Sequence, residues 1–304
     1  MKLFSGTSNK PLAERVAAAI GISLGDVEIT RFIDNECRVF VREDVAGQDV
    51  YVLQSLSEVA DQNLVELCLL GSALKNLGAA KVTAVIPWMG YSKQDKAFRK
   101  GEAISALLVA KFIEAAGFDA VITMELHSEN VLPFFRIPVL ELSTHTLLRD
   151  EFVRQVPGAA TSTAVVVSPD RGGKSRSERF AEAVHLPVMH LDKSRDTSTG
   201  DVVVTGIDGV VRDTTVIMFD DIINTGATAI KTSEYVIHNG AKDVYFLATH
   251  AVLAGVAPDK LAHSPITRVI VTDTVHIADA KKFASLSITS VSSLIADAIR
   301  TQTK

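Results

Sequence analysis

The sequence predicts an α/β protein built on mainly parallel sheets, with the strand–helix series running through the chain twice. Three observations lead there. Short β-branched runs alternate with amphipathic stretches along the whole length. Most of these runs are continuously apolar rather than alternating, the pattern of strands covered on both faces. The 304 residues, 47% hydrophobic and 22% charged, are enough for two domains of roughly 150 residues, each with its own core.

Strands are predicted at 50–54, 82–87, 120–124, 164–168, 214–219, 244–249 and 268–272. Helices are predicted between them at 63–77, 104–116, 176–184 and 229–238, the last closed by the stop signal Asn239-Gly240. One set of units fills 1–145 and a second fills 146–304, with Pro157-Gly158 near the join. The balance of 31 basic against 36 acidic side chains, a net charge of −5, argues against broad electrostatic binding to nucleic acid. Cys37 and Cys68 cannot make a disulfide framework, and no Cys/His cluster has zinc spacing. The first residues lack the apolar stretch of a signal peptide, and no apolar run approaches the roughly 18 residues needed to cross a bilayer. The expectation is a soluble cytoplasmic chain, with neither nucleic acid nor membrane as partner.

In open α/β sheets ligands bind at the carboxyl ends of strands, so the segment after each strand is the place to look. The most informative is VIMFDDIINTGAT, residues 216–228. A buried strand delivers two adjacent carboxylates, Asp220 and Asp221, and Asn224, Thr225, Gly226, Ala227 and Thr228 lead into a helix. Hydroxyls and close backbone N–H groups at a helix N-terminus suit a phosphate. The carboxylates suit sugar hydroxyls or a hydrated divalent cation. An acidic turn followed by an ordinary N-cap is the plainer alternative.

Other strand ends carry less. Asp170 stands before Gly172-Gly173, which fits either a ligand approach or a tight turn. In LDKSR, Lys193 and Arg195 lie two apart; if extended, both cations point the same way, toward a polyphosphate in transition. Taken alone, a solvated basic loop is the simpler reading. IPWMGYSKQDKAFRKGEAIS, from 86 to 105, reads as a lid over an anionic nucleotide or as a plain surface loop. His127 follows a strand and is weak evidence by itself. FIDNE, residues 32–36, offers an aromatic face with carboxylates, as an adenine pocket might be built, and reads equally well as a hairpin turn.

Together these segments resemble the ribose-phosphate pyrophosphokinase family from end to end. The likeness starts at Phe4-Ser5-Gly6 with Asn9 and Leu12-Ala13, and passes through FIDNE and VAGQDVYVLQS. The lid, SPDRGG, LDKSR and FDDIINTGAT follow in order, and the likeness closes with GAKDVYFLATHAVL and VTDT. Segment 216–228 alone is equally similar to the loop of phosphoribosyltransferases. The resemblance implies two tandem phosphoribosyltransferase-like domains, 1–145 with an ATP-side lid and 146–304 with a ribose-5-phosphate loop. It implies transfer of the pyrophosphoryl group of ATP to the anomeric hydroxyl of ribose 5-phosphate, with Mg²⁺ and release of AMP, for nucleotide biosynthesis. Carried over, Lys193 and Arg195 are the catalytic cations. Asp220, Asp221, Asn224, Thr225, Gly226, Ala227 and Thr228 bind ribose 5-phosphate. Phe32, Asp34, Glu36, Lys93, Gln94, Asp95 and His127 bind ATP. His127, Asp170, Asp220 and Asp221 are metal ligands. In the family the FIDNE-like loop reaches a neighbouring subunit, so self-association as a dimer or hexamer is implied.

Several positions depart from the family pattern. Asn224 replaces Asp, which removes any base role there, and Ala227 replaces the second Gly. Lys93 replaces a planar Arg. Glu125 replaces Asp before Leu-His, Glu129 and Asn130 differ from the usual neighbours, and Asn35 stands for Gly. Ala46 stands where regulated members carry Arg, and the lid is short. The competing readings are a phosphoribosyltransferase, which needs neither the LDKSR pair nor an ATP pocket, and a non-catalytic regulatory relative, which would be marked by loss of the cations that this chain retains.

Overall fold

The computed structural model describes residues 1–158, 163–169, 174–195 and 202–302, with the backbone alone at 193–195 and 202–205. The chain divides into two compact units, one of 1–143, 274–276 and 290–304, the other of 144–273 and 277–289. The last fifteen residues, which linear order assigns to the second domain, therefore count with the first unit.

In the first unit, β1 (Lys2–Ser5), β4 (Asp49–Leu53), β5 (Lys81–Ile86), β6 (Ala120–Met124) and β7 (Val139–Leu142) form a wholly parallel sheet in the order β1-β4-β5-β6-β7. β2 (Val27–Arg31) and β3 (Cys37–Val41) make a separate antiparallel hairpin. The continuous apolar runs are explained by two covered faces. Val50, Val52, Val82, Ala84 and Ile86 enter a core with Leu67, Leu70 and Leu74 of α2 (Ala60–Asn76) and Val109 and Ile113 of α3 (Ser105–Ala115). The intervening Tyr51, Leu53 and Val85 are buried too. Helix α1 (Lys10–Ile20) starts where the Asn9 side chain accepts a hydrogen bond from the Leu12 N–H and stops at Gly21 in left-handed backbone; it packs against α8 (Ser292–Gln302).

At the end of β5, Gly90 lies against β4's exit. A Cβ there would fall 2.4 Å from the Leu56 carbonyl oxygen, a backbone atom that no rotamer change removes. Gly90→Ala is expected to cost about 1–3 kcal/mol, read as a lowered Tm. A variant as stable as the parent would mean that the two loops part without resistance.

The second unit holds a seven-stranded sheet in the order β10-β9-β8-β11-β12-β13-β14, parallel except where β9 meets β10. Its strands are β8 (Ala164–Ser168), β9 (Val188–Arg195), β10 (Val202–Ile207), β11 (Thr215–Ile223), β12 (Asp243–Ala251), β13 (Arg268–Thr272) and β14 (Leu286–Thr289). Alternate residues again serve opposite faces. Ile217 and Phe219 pack with Leu148 and Phe152 of α4 (His145–Gln155) and Phe180 of α5 (Lys174–Val184), the Phe180 and Phe219 rings stacked at 4.5 Å. Val216 and Met218 pack with Ala229 and Val236 of α6 (Ala227–His238) and Leu261 of α7 (Ala257–Ala262).

Seven strands escape the sequence pattern: β1, β2, β3, β7, β9, β10 and β14. Of these β1, β7 and β14 are only four residues long, and β2, β3, β7 and β14 are only partly buried, so they lack the apolar runs that mark the central strands. Among the described residues no helix is long and apolar enough to cross a membrane.

Candidate active site

Strand order makes the second unit's site. From β8 the chain moves to β9 on one side, and from β11 it moves to β12 on the other, so the winding reverses between the adjacent strands β8 and β11. Ligands enter such sheets at the carboxyl ends of the strands flanking that reversal. There β11 runs on to Ile223, four residues beyond its predicted end, and carries Asp220 and Asp221 inside the strand rather than after it. Residues Ile222 and Ile223 keep pairing with His250 and Ala251 of β12, and this continued ladder extends the strand.

The carboxylate pair meets a partner that the sequence did not single out. Arg176, in the first turn of α5, donates through Nη1 to Asp220 Oδ1 at 2.8 Å and to Asp221 Oδ1 at 2.7 Å. The Asp221 side chain is 1% exposed. The Asp221 N–H also donates to Asp220 Oδ1 at 2.9 Å, which fixes the two carboxylates relative to each other. A basic residue soon after a glycine pair was the available signal, but nothing local joins positions 176 and 220.

Next to the pair, Asn224 and Thr225 lead to Gly226, the left-handed N-cap of α6 at φ 71°. A Cβ at Gly226 would lie 3.1 Å from Leu261, so glycine suits both the backbone and the space. Asn224, Thr225, Ala227 and Thr228 are exposed around the helix N-terminus, where backbone N–H groups and the helix dipole favour an anion. The Asn224 carbonyl accepts from the Ala254 N–H at 2.9 Å, tying the loop to the end of β12. Thus Asp220, Asp221 and 224–228 come together as carboxylates beside an anion cradle. Lys193 and Arg195 lie in β9, whose backbone is extended; their side chains fall outside the described residues, as does Asp170.

The first unit gathers a second group at the ends of β5 and β6. Lys93 holds its ammonium 5.8 Å from the centre of the buried Trp88 ring, a cation–π contact. Gln94 accepts from Ser105 Oγ at 2.7 Å, anchoring the lid to α3. Asp95 accepts from Asn130 Nδ2 at 2.9 Å and Ser128 Oγ at 2.7 Å, both in the segment that follows His127. Those hydrogen bonds, from Asn130 first, hold the Asp95 carboxyl below its ordinary range. The loop with His127 is braced from below, where Glu141 accepts from the Leu126 N–H at 2.6 Å and Ser143 donates to Glu125 at 2.8 Å. Lys93, Gln94, Asp95 and the His127 segment therefore belong to one cluster.

Phe32, Asp34 and Glu36 do not share those bonds. FIDNE is the turn of the β2–β3 hairpin: Asn35 takes left-handed backbone at φ 72°, and the Phe32 N–H donates to the Glu36 carbonyl at 2.9 Å. The side chains of all three are exposed, with Ile33 fully so. Glu66, 2% exposed, accepts from the Thr7 N–H at 2.6 Å and Gln54 Nε2 at 2.7 Å. It fixes the loop after β1. Among the described residues no three His, Cys, Asp or Glu side chains gather into a metal site.

Comparison with known proteins matches the chain to one family. Residues 1–117 match the N-terminal domain of ribose phosphate pyrophosphokinase, and 202–304 match the phosphoribosyl synthetase-associated domain. The chain is 39% identical over 300 residues to ribose-phosphate pyrophosphokinase 2 of Enterococcus faecalis, covering 99% of this chain and 92% of that protein. It is 38% identical over 299 residues to the ribose-phosphate pyrophosphokinase of Caldanaerobacter subterraneus subsp. tengcongensis, covering 98% and 93%. The crystal structure of phosphoribosylpyrophosphate synthetase from Mycobacterium smegmatis superposes with a TM-score of 0.92 at 34% identity, over 99% of this chain and 98% of that one. With likeness of that extent at both the sequence and the fold level, the chain belongs to the ribose-phosphate pyrophosphokinase family.

Proposed function

We propose that the protein transfers the pyrophosphoryl group of ATP to the anomeric hydroxyl of ribose 5-phosphate, giving 5-phosphoribosyl 1-diphosphate and AMP. The observation that carries this reading is the carboxylate pair at the end of β11 set directly before the N-terminal cradle of α6. One part suits sugar hydroxyls and the other suits the 5-phosphate.

The anomeric oxygen attacks the β-phosphorus in line. A new O–P bond forms, the bond from that phosphorus to the oxygen it shares with the α-phosphorus breaks, AMP leaves with that oxygen, and the hydroxyl proton passes to solvent. Positioning and charge neutralisation supply most of the catalysis. Asp220 and Asp221 accept from the ribose hydroxyls, and 224–228 hold the 5-phosphate through backbone N–H groups and the Thr225 and Thr228 hydroxyls. Lys193 and Arg195 meet charge that builds on the transferring group. Lys93, Gln94, Asp95 and His127 address the nucleotide, with Asp170 on its metal side. Asp170 and His127 would hold Mg²⁺ together with phosphate oxygens of the substrate, the hard donors it prefers, and the ion when bound would neutralise phosphate charge. The exposed hairpin turn with Phe32, Asp34 and Glu36 suits insertion into a second copy, so a homo-oligomer is part of the reading.

The test is phosphorus NMR of ATP, Mg²⁺ and ribose 5-phosphate without any nucleobase. AMP and 5-phosphoribosyl 1-diphosphate should appear in equal amounts; ADP as product, or no turnover, would refute the assignment. Ala46 and the short lid lead to a regulatory expectation. Phosphate should activate weakly, and inhibition by ADP should be simply competitive with ATP. A Hill coefficient above one in ADP titrations would overturn it.

A further inference from the structure

We infer that Arg176 is a positioning residue that sets the Asp220–Asp221 pair to receive sugar hydroxyls and keeps a divalent cation from settling on the empty pair. The inference rests on the reading above for the identity of the sugar. It narrows the expectation that Asp220 and Asp221 are metal ligands to the substrate-bound protein.

The geometry is a single nitrogen shared by two acids. Arg176 Nη1 reaches Oδ1 of Asp220 and Oδ1 of Asp221 at 2.8 and 2.7 Å. The three side chains are 12%, 15% and 1% exposed. Adjacent carboxylates in a dry site repel each other and draw either a proton or a metal ion. The guanidinium cancels one of the two charges. A divalent cation approaching the pair meets a fixed positive charge at bonding distance from both acids. A diol is uncharged and meets no such opposition. The bridge reaches across the reversal of the sheet, because α5 follows β8 and β8 lies beside β11. Magnesium therefore reaches this site with sugar and phosphate rather than ahead of them.

The experiment titrates Mn²⁺, followed by electron paramagnetic resonance, into substrate-free protein in four forms: unaltered, Arg176→Gln, Arg176→Lys and Asp221→Asn. Arg176→Gln should gain a Mn²⁺ site at least tenfold tighter than any in the unaltered protein, while Arg176→Lys should gain none. In parallel, Arg176→Gln should raise KM for ribose 5-phosphate at least tenfold with a smaller change in kcat, and Arg176→Lys should restore part of it. A folded Arg176→Gln protein with no added Mn²⁺ site overturns the inference. If that variant does not fold, the unaltered protein and Asp221→Asn decide. Equal Mn²⁺ binding supports the inference, and a site lost with Asp221→Asn overturns it. The Mn²⁺ readout needs no turnover, so failure of the proposed reaction is seen separately in the product assay.

Discussion

A Lys193→Ala enzyme is expected to bind both substrates nearly as well as the parent and to lose about 10²–10³-fold in kcat, the scale for removing one preorganised charge from a transition state. The reason lies in timing. On the proposed reading, ground-state ATP would already be neutralised by metal and pocket, whereas charge on the moving pyrophosphoryl group peaks only in transition, and interactions made only there appear in kcat. β9 pairs with β8 through 188–190, and from 191 to 195 it pairs only with β10. Lys193 and Arg195 thus sit on a two-stranded ribbon beyond the main sheet, and such ribbons are marginally stable alone. Arg195→Ala should behave alike, and the double variant should lose less than the product of the two effects if both cations serve one group, as proposed. Steady-state kinetics over both substrates decides the matter. A raised KM with unchanged kcat would move Lys193 from catalysis to binding.

Asp221→Ala should do the opposite, raising KM for ribose 5-phosphate by roughly 10–100-fold, the worth of one charge-assisted hydrogen bond of about 1.5–3 kcal/mol. It should also lower Tm. Asp221 is 1% exposed, so its loss removes one of the two acids from a guanidinium that is itself largely buried. Asp221→Asn keeps the shape and removes the charge; it should recover most of the Tm and little of the sugar affinity. Unchanged affinity for ribose 5-phosphate in both variants would dissociate the pair from the sugar.

The central strands were legible because their chemistry is local. Val82–Ile86, Ala120–Met124, Ala164–Ser168 and Val244–Thr249 are continuous apolar runs bounded by turn residues, and such runs satisfy a sheet with helices on both faces wherever it lies. The loop 224–228 was legible for the same reason, since its hydroxyls, its glycine and the following helix lie within a few residues of one another. The edge strands were not. Val139–Leu142 and Leu286–Thr289 are four residues long and mostly half-buried, so each owes its strand form to one neighbour's free edge rather than to its own composition. FIDNE is the turn of the β2–β3 hairpin, whose pairing is invisible in the segment itself; its place at a nucleotide belongs to the proposed reading.

What the sequence alone determined was the set of parts: two parallel-sheet units, a loop of hydroxyls and glycine following two acids, a basic loop after β5, and membership of a family. What only the tertiary structure decided was which parts touch. Arg176 and Asp220 are 44 residues apart, and Asp95 and Asn130 are 35 apart. Each pair meets because particular strands were laid side by side, β8 with β11 and β5 with β6. Strand order follows from the packing of whole helices and the hand of their crossovers, a long-range free-energy balance that no local run of side chains encodes. That balance lengthened β11 through the two acids and gave them their guanidinium.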